Sequence, residues 1–155
     1  MKLEELKKVF NLNEQQVNQL DLYANFLIAY NEKVNLTAIV EYEDIIEKHF
    51  YDSLIPLLHK DIKGTLVDVG TGAGFPGVVL KIVRPDLKVL LLEPLNKRCV
   101  FLNELINKLI QSLDPRGFRV FGTTHPSGWQ CPRNRVLMEL DNPDTLPLSR
   151  SCQCK

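Results

Sequence analysis

The sequence predicts an α/β fold in which a helical extension precedes a parallel sheet, and three observations carry that expectation. Before Gly64, apolar side chains recur at the three-and-four spacing of helices. After it, Thr65-Leu66-Val67-Asp68-Val69 and Val89-Leu90-Leu91-Leu92 are short runs that end in glycines and in Glu93-Pro94. Neither run alternates, which predicts strands buried on both faces of a parallel sheet. Between them lies a stretch of helical period, so the three segments together read as a βαβ unit.

The elements follow in order. Asn13 and Gln16 have the spacing of a capping box, which predicts a helix starting at Glu14. Val17, Leu20, Ala24, Leu27 and Ile28 then supply one apolar face as far as Lys33. Asn35-Leu36-Thr37-Ala38 reads as a turn. A second helix fits residues 41–58, with Ile46, Phe50, Leu54 and Leu57 on its buried side. In the βαβ helix, Pro76 suits the first turn, Val78, Val79, Ile82 and Val83 supply apolar contacts, and Arg84-Pro85-Asp86 ends it. Asn96 can cap a further helix with Cys99, Leu102, Ile106 and Leu109 on its apolar face.

Beyond Leu109 the chain changes character. Up to residue 110 the basic residues are eleven Lys and two Arg; after it they are one Lys and five Arg, and five of the nine prolines lie there. Composition and periodicity fail at the same place, which reads as a junction between Leu109 and Leu113. The expected organisation is a helical extension at 1–64, the first half of a sheet domain at 65–112 and an irregular tail at 113–155. In that tail only Val136-Leu137-Met138 is expected to pair as a strand.

The chain has 155 residues, 45% of them hydrophobic and 25% charged, enough for one core. Lys plus Arg equals Asp plus Glu, so whole-chain charge argues for neither nucleic acid nor membrane. No apolar run approaches the roughly 18 residues of a membrane span, and four cysteines without a signal peptide argue against a disulfide framework. A cytoplasmic protein is expected, with no membrane and no obligate protein partner.

Asp68-Val69-Gly70-Thr71-Gly72-Ala73-Gly74-Phe75-Pro76-Gly77 is the most informative segment. Four glycines between a strand and a helix let the backbone turn sharply and a ligand approach without a Cβ in the way. Gly72, Gly74 and Gly77 satisfy the dinucleotide pattern G-x-G-x-x-G, which alone is weak. Asp68, expected to point toward the pocket, would repel a pyrophosphate, yet it can orient a cofactor bearing an ammonium and a sulfonium group, S-adenosyl-L-methionine. Glu93 ends the second strand, where a carboxylate can accept both ribose hydroxyls. Both nucleotide classes use that acid, so a nucleotide- or dinucleotide-binding oxidoreductase stays open at this point.

His49, Asp52 and Ser53, at i, i+3 and i+4, are expected along one edge of the second helix. A lone helical His is commonly half-buried and satisfied locally, so a structural role stands beside a functional one. Lys97 and Arg98 open the helix after Glu93, where they can contact phosphate or simply be solvated. His125, Cys131, Cys152 and Cys154 equal a zinc set in number but lack a paired C-x-x-C spacing, and no metal is expected.

With Asn35-Leu36-Thr37, His49 with Asp52-Ser53, Asp68 to Gly77, and Leu92-Glu93-Pro94-Leu95-Asn96-Lys97-Arg98 in that order, the chain resembles the glucose-inhibited division protein B family over residues 1 to about 109. The resemblance implies a Rossmann-like S-adenosylmethionine-dependent methyltransferase fold with an N-terminal helical extension, and methyl transfer to N7 of a guanine in small-subunit ribosomal RNA. It also implies that Gly70, Gly72, Gly74 and Phe75 form the cofactor loop and Glu93 holds the ribose. Asn35, His49, Asp52 and Ser53 would then face cofactor and RNA. Family members continue with further strands, an acidic residue on the adenine side and an Arg-Ala segment, and residues 110–155 carry neither motif. The fold is therefore expected to be truncated or altered after the second strand-helix unit, leaving an inactive fragment or a catalytically dead interaction module as the alternative outcome. Guanine N7 already holds a lone pair, so no general base is needed, and positioning supplies the rate. Residues 1–110 contain thirteen basic and fifteen acidic side chains, a balance of −2, so RNA contacts need a local patch.

Overall fold

The computed structural model describes residues 1–110 and the strand at 118–121. In chain order the elements are α1 (Leu3–Phe10), α2 (Glu14–Val34), α3 (Tyr42–Ile45), a π-helical segment (Ile46–Tyr51), α4 (Asp52–His59), β1 (Thr65–Val69), α5 (Gly77–Val83), β2 (Lys88–Leu92), α6 (Asn96–Ile110) and β3 (Phe118–Phe121). Among the described residues, no helix is long and apolar enough to cross a membrane.

The capping box at Asn13 forms in both directions. Gln16 N–H donates to Asn13 Oδ1 at 2.9 Å, and Asn13 N–H donates to Gln16 Oε1 at 3.0 Å. The Gln16 amide then donates to the Val83 carbonyl at 2.9 Å, so the start of α2 is docked on the end of α5. The predicted face of α2 is buried at Val17, Leu20, Ala24 and Leu27, joined by Gln19, Tyr23 and Asn31. Helix α1 was not evident from spacing. It buries only Leu6, and Asn11 ends it in the left-handed region at φ 50°.

The expected helix at 41–58 is present but not regular. Ile46–Tyr51 winds as a π-helix between α3 and α4. Its wider turn inserts one residue per turn and re-aims the side chains that follow. Ile46, Phe50 and Leu54 are buried as predicted. Asn96 is the first helical residue of α6 rather than its cap; the carbonyl of Leu95 before it accepts from Arg98 N–H and Cys99 N–H.

The sheet is parallel, ordered β1-β2-β3, with Val67 opposite Leu90 and Leu91 opposite Val120. Two expectations are corrected here. First, the strands are not buried on both faces. Asp68, Val89 and Leu91 are buried, whereas Val67 and Val69 are 49% and 76% exposed. Helices α5 and α6, which connect successive parallel strands, both pack against α2, and the other face of β1, at Val67 and Val69, is exposed. Second, Phe118–Phe121, placed in the irregular tail by composition, extends the sheet beside β2. Val136, Leu137 and Met138 lie outside the described residues.

Gly77 opens α5 where the helix presses on the sheet. A Cβ there would come 2.2 Å from Leu91 Cδ2 and 2.8 Å from Asp68 Oδ2. Gly77→Ala should therefore destabilise the chain by about 1–3 kcal/mol through overpacking. The check is the urea midpoint at unchanged slope; an unmoved midpoint would mean that α5 does not sit this close to β2.

Candidate functional site

The site is the loop between β1 and α5, at the carboxyl ends of parallel strands, where open α/β sheets bind ligands. Asp68 lies underneath it. Its Oδ2 accepts from the Thr71 hydroxyl at 2.7 Å and from Gly77 N–H at 2.9 Å, so one oxygen ties the strand, the loop and the helix start. Gly70 and Thr71 N–H both donate to the Leu92 carbonyl, which leads the loop across the end of β2. Gly74 and Phe75 N–H fold back onto the Thr71 carbonyl. Asp68 was expected to face a ligand; instead it is 8% exposed, with Oδ2 committed to the loop. Burial raises its pKa above the usual carboxylate value, opposed by the bonds from Thr71 and Gly77, while the charge on Glu93 adds to the rise.

Two glycines carry the shape. Gly74 has φ 104°, and a Cβ would fall 2.6 Å from the Tyr23 hydroxyl and 2.8 Å from Val78 Cγ2, so both conformation and space exclude a side chain. Gly72 has φ 62° and, among the described residues, nothing lies within 4 Å of an added Cβ, so the loop is open toward them on that side. Beside it stands Glu93, only 1% exposed, with Oε2 accepting Gly72 N–H at 2.8 Å and Oε1 accepting Leu95 N–H at 2.9 Å. Arg98 Nη1 is 3.7 Å from the same Oε2, and Arg98 Nε is buried with no hydrogen-bond partner among the described residues. Glu93 and Gly72, 21 positions apart in sequence, are thus joined at one point. Cys99 beneath them donates its thiol toward the Glu93 and Leu95 carbonyls, and burial first, then the Glu93 charge, pushes its pKa up to about 11, which excludes a thiolate nucleophile.

The residues expected on the substrate side divide. The His49 ring stacks on Phe75 with centroids 4.2 Å apart and planes 8° apart, and its Nε2 is 3.0 Å from Thr37 Oγ1. Burial lowers the His49 pKa, against the charge of Asp52. Asp52 is exposed, whereas Ser53 is buried and donates to the His49 carbonyl. The three therefore do not share one outward edge: His49 lies within the π segment, whereas Asp52 and Ser53 follow it at the start of α4. Asn35 is the left-handed cap of α2 at φ 44°, and Lys97 Nζ reaches the neighbouring Val34 carbonyl at 3.4 Å, so these two converge at the end of α2.

Spacing did not single out Tyr23, Asn31 or Thr71. Asn31 Oδ1 accepts from Leu36 and Thr37 N–H, and its amide donates to the Thr37 carbonyl at 3.0 Å, which clamps the turn that carries Thr37. Its sequence signal was a polar residue on an apolar helix face. Tyr23, fully buried, donates its hydroxyl to the Ala73 carbonyl and stacks on Phe75. Among the described residues no group of His, Cys, Asp and Glu could hold a metal; His125, Cys131, Cys152 and Cys154 lie outside them.

The family model described as rRNA small subunit methyltransferase G matches residues 16–114. The chain is 55% identical over 101 residues to the ribosomal RNA small subunit methyltransferase G of Lachnoclostridium phytofermentans, covering 64% of this chain and 42% of that protein. It is 50% identical over 102 residues to the protein of that name from Alkaliphilus metalliredigens, covering 64% and 43%. With the Clostridium perfringens protein the identity is 50% over 129 residues, 82% of this chain and 51% of the relative. That last stretch is longer than residues 1–109 alone can hold. The chain spans about half the length, or somewhat less, of these curated relatives.

The His49 geometry has a pH consequence. Its folded pKa lies below the ordinary value of 6.5, so the unfolded chain takes up the proton first as pH falls. Stability from this group is whole above about pH 6.5 and declines as pH drops from there through the lower folded value; the raised pKa of Asp68 acts in the opposite sense. Urea midpoints at about pH 7.5 and 5.5 should therefore differ less in His49→Gln than in the parent chain. An identical pH response in both would show that the ring is not desolvated on Phe75.

Proposed function

The chain belongs to the rRNA small subunit methyltransferase G family, and from that premise we propose that its glycine loop binds S-adenosyl-L-methionine for methyl transfer to N7 of a guanine in small-subunit ribosomal RNA. The observation that carries the reading is the junction of Glu93 with Gly72 on the open side of the loop. A carboxylate oxygen can accept two hydrogen bonds. Each Glu93 oxygen uses one for a backbone N–H, and Oε2 also faces Arg98 Nη1 at 3.7 Å, so the acceptor capacity left for a ribose hydroxyl is greatest on Oε1. The residues present thus fit the cofactor: Gly70, Gly72 and Gly74 line the approach, Glu93 receives the ribose, Phe75 closes the loop, and Asp68 holds its base with a negative charge nearby.

When bound, S-adenosyl-L-methionine supplies an electrophilic methyl group. The protein's part is to orient the two reactants and keep them in line, since guanine N7 attacks with its own lone pair. His49, its pKa lowered by burial and its ring fixed by Thr37 and Phe75, serves as a rigid wall on the substrate side. Asn35 and Lys97, brought together at the end of α2, form with Arg98 and the exposed Asp52 the side on which ribosomal RNA is received, while Ser53 is buried and supports the His49 backbone from within. A chain acting on ribosomal RNA would meet that substrate in the cytoplasm.

The dinucleotide reading meets a specific obstacle. A pyrophosphate on the start of α5 needs free N–H groups and tolerates no acid there. The Gly77 N–H is already taken by the Asp68 carboxylate.

Titration calorimetry with S-adenosylhomocysteine tests the pocket. Glu93→Ala should weaken binding by about 5- to 150-fold, the range expected for losing charged hydrogen bonds. Unchanged affinity in a folded variant removes Glu93 from the site, and response to NADH instead overturns the assignment. Methyl transfer to deproteinised ribosomal RNA then separates an enzyme from a module that binds and does not react.

A further inference from the structure

We propose that Tyr23, on α2, is a positioning residue for the cofactor loop, setting the peptide between Ala73 and Gly74 without itself touching a ligand; the inference rests on the cofactor reading above. That peptide is held at both ends. Its N–H, on Gly74, donates to the Thr71 carbonyl at 2.9 Å, and its carbonyl, on Ala73, accepts from the Tyr23 hydroxyl at 2.5 Å. A loop whose glycines have φ of 62° and 104° can exchange between backbone states at little steric cost, because no Cβ blocks the rotation. Pinning both polar ends of the 73–74 peptide removes that freedom. It thereby restrains the Thr71–Gly72 peptide two links earlier, whose carbonyl accepts Gly74 N–H and whose own N–H donates to Glu93.

Tyr23 is suited to the task by its surroundings. It is fully buried, with its ring 5.4 Å from Phe75 at an interplanar angle of 11° and 5.2 Å from Phe50. Burial drives its pKa well above the ordinary phenol value, so the hydroxyl stays a donor throughout the working range. The close approach of that hydroxyl to Gly74, 2.6 Å from a hypothetical Cβ, explains why the loop needs glycine at this point. A phenylalanine would fill the same volume and leave the Ala73 carbonyl buried and unpaired.

The position on α2 matters as well. Asn31, eight residues later, clamps the turn at Leu36 and Thr37, and Thr37 holds His49 against Phe75. Residues eight apart share a helix face about 12 Å along its axis. One rigid helix thus spaces the cofactor loop from the turn on the substrate side.

The experiment uses the full chain and Tyr23→Phe, with Leu20→Ala as a control that opens a cavity one turn earlier on the same buried face without removing a hydrogen bond to the loop. In the absence of ligand, amide exchange at residues 71–75 should quicken in Tyr23→Phe while α2 and β2 stay protected. S-adenosylhomocysteine affinity should fall about tenfold, although the thermal midpoint drops less than in Leu20→Ala. Unchanged loop exchange and affinity in Tyr23→Phe overturn the inference alone. An equal loss of affinity in folded Leu20→Ala also overturns it, by showing that general loosening suffices. A parent chain that binds no S-adenosylhomocysteine is seen before any variant is compared, and overturns the cofactor reading together with the inference that rests on it.

Discussion

A single carboxylate oxygen buried under the loop holds together the three elements that any ligand here would meet. Asp68 Oδ2 accepts from Thr71 and from Gly77, so the end of β1, the first turn of the loop and the first residue of α5 share one acceptor. A buried carboxylate is tolerated only when hydrogen bonds replace its lost water, and removing a donor would leave charge without compensation. The helix must therefore start at Gly77, close against Leu91, where a side chain would not fit. Glu93 makes a second, parallel tie, from the end of β2 to Gly72 and Leu95. The loop is thus braced from below by one strand and from the side by the next.

The N-terminal helices complete this bracing rather than standing apart from the sheet. Gln16 joins the start of α2 to the last turn of α5, Tyr23 reaches the loop and Asn31 organises the turn beyond. Aromatic rings fill the space between: Phe75 stacks with His49 and with Tyr23, and Phe101 with Phe26 on the α6 side. Such ring pairs add about 0.5–1.5 kcal/mol beyond their buried area and, more to the point here, fix orientation. The π segment serves the same end, since it turns His49 toward Phe75 while leaving Phe50 and Leu54 in the core.

All described crossovers lie on one face of the sheet, so alternate positions of β1 have different fates. Leu66 and Asp68 face helices, whereas Val67 and Val69 face outward. Apolar composition alone made both sets look like core. A run of β-branched residues reports that both faces of a strand suit burial; it does not report which faces are covered by the chain at hand.

The sequence by itself determined the features whose physics is local. A capping box needs only Asn13 and Gln16 three positions apart, the change of period at Gly64 needs only the order of side chains, and the glycine-rich turn follows from backbone sterics within a few residues. The loop and its two acids were legible for that reason, as was the family resemblance that those motifs carry. Tertiary structure alone decided the rest. Spacing along α2 did not single out Tyr23, whose role rests on a hydroxyl that meets a carbonyl 50 positions away. Asp68 faced inward because α5 crosses on that side, and Glu93 folded onto Gly72 because β1 and β2 pair in register. Phe118–Phe121 became a strand because β2 offered it an open edge. Each of these depends on a partner distant in sequence, and hydrogen-bond donors, edges and covered faces are properties of the assembled fold rather than of a residue's neighbours along the chain.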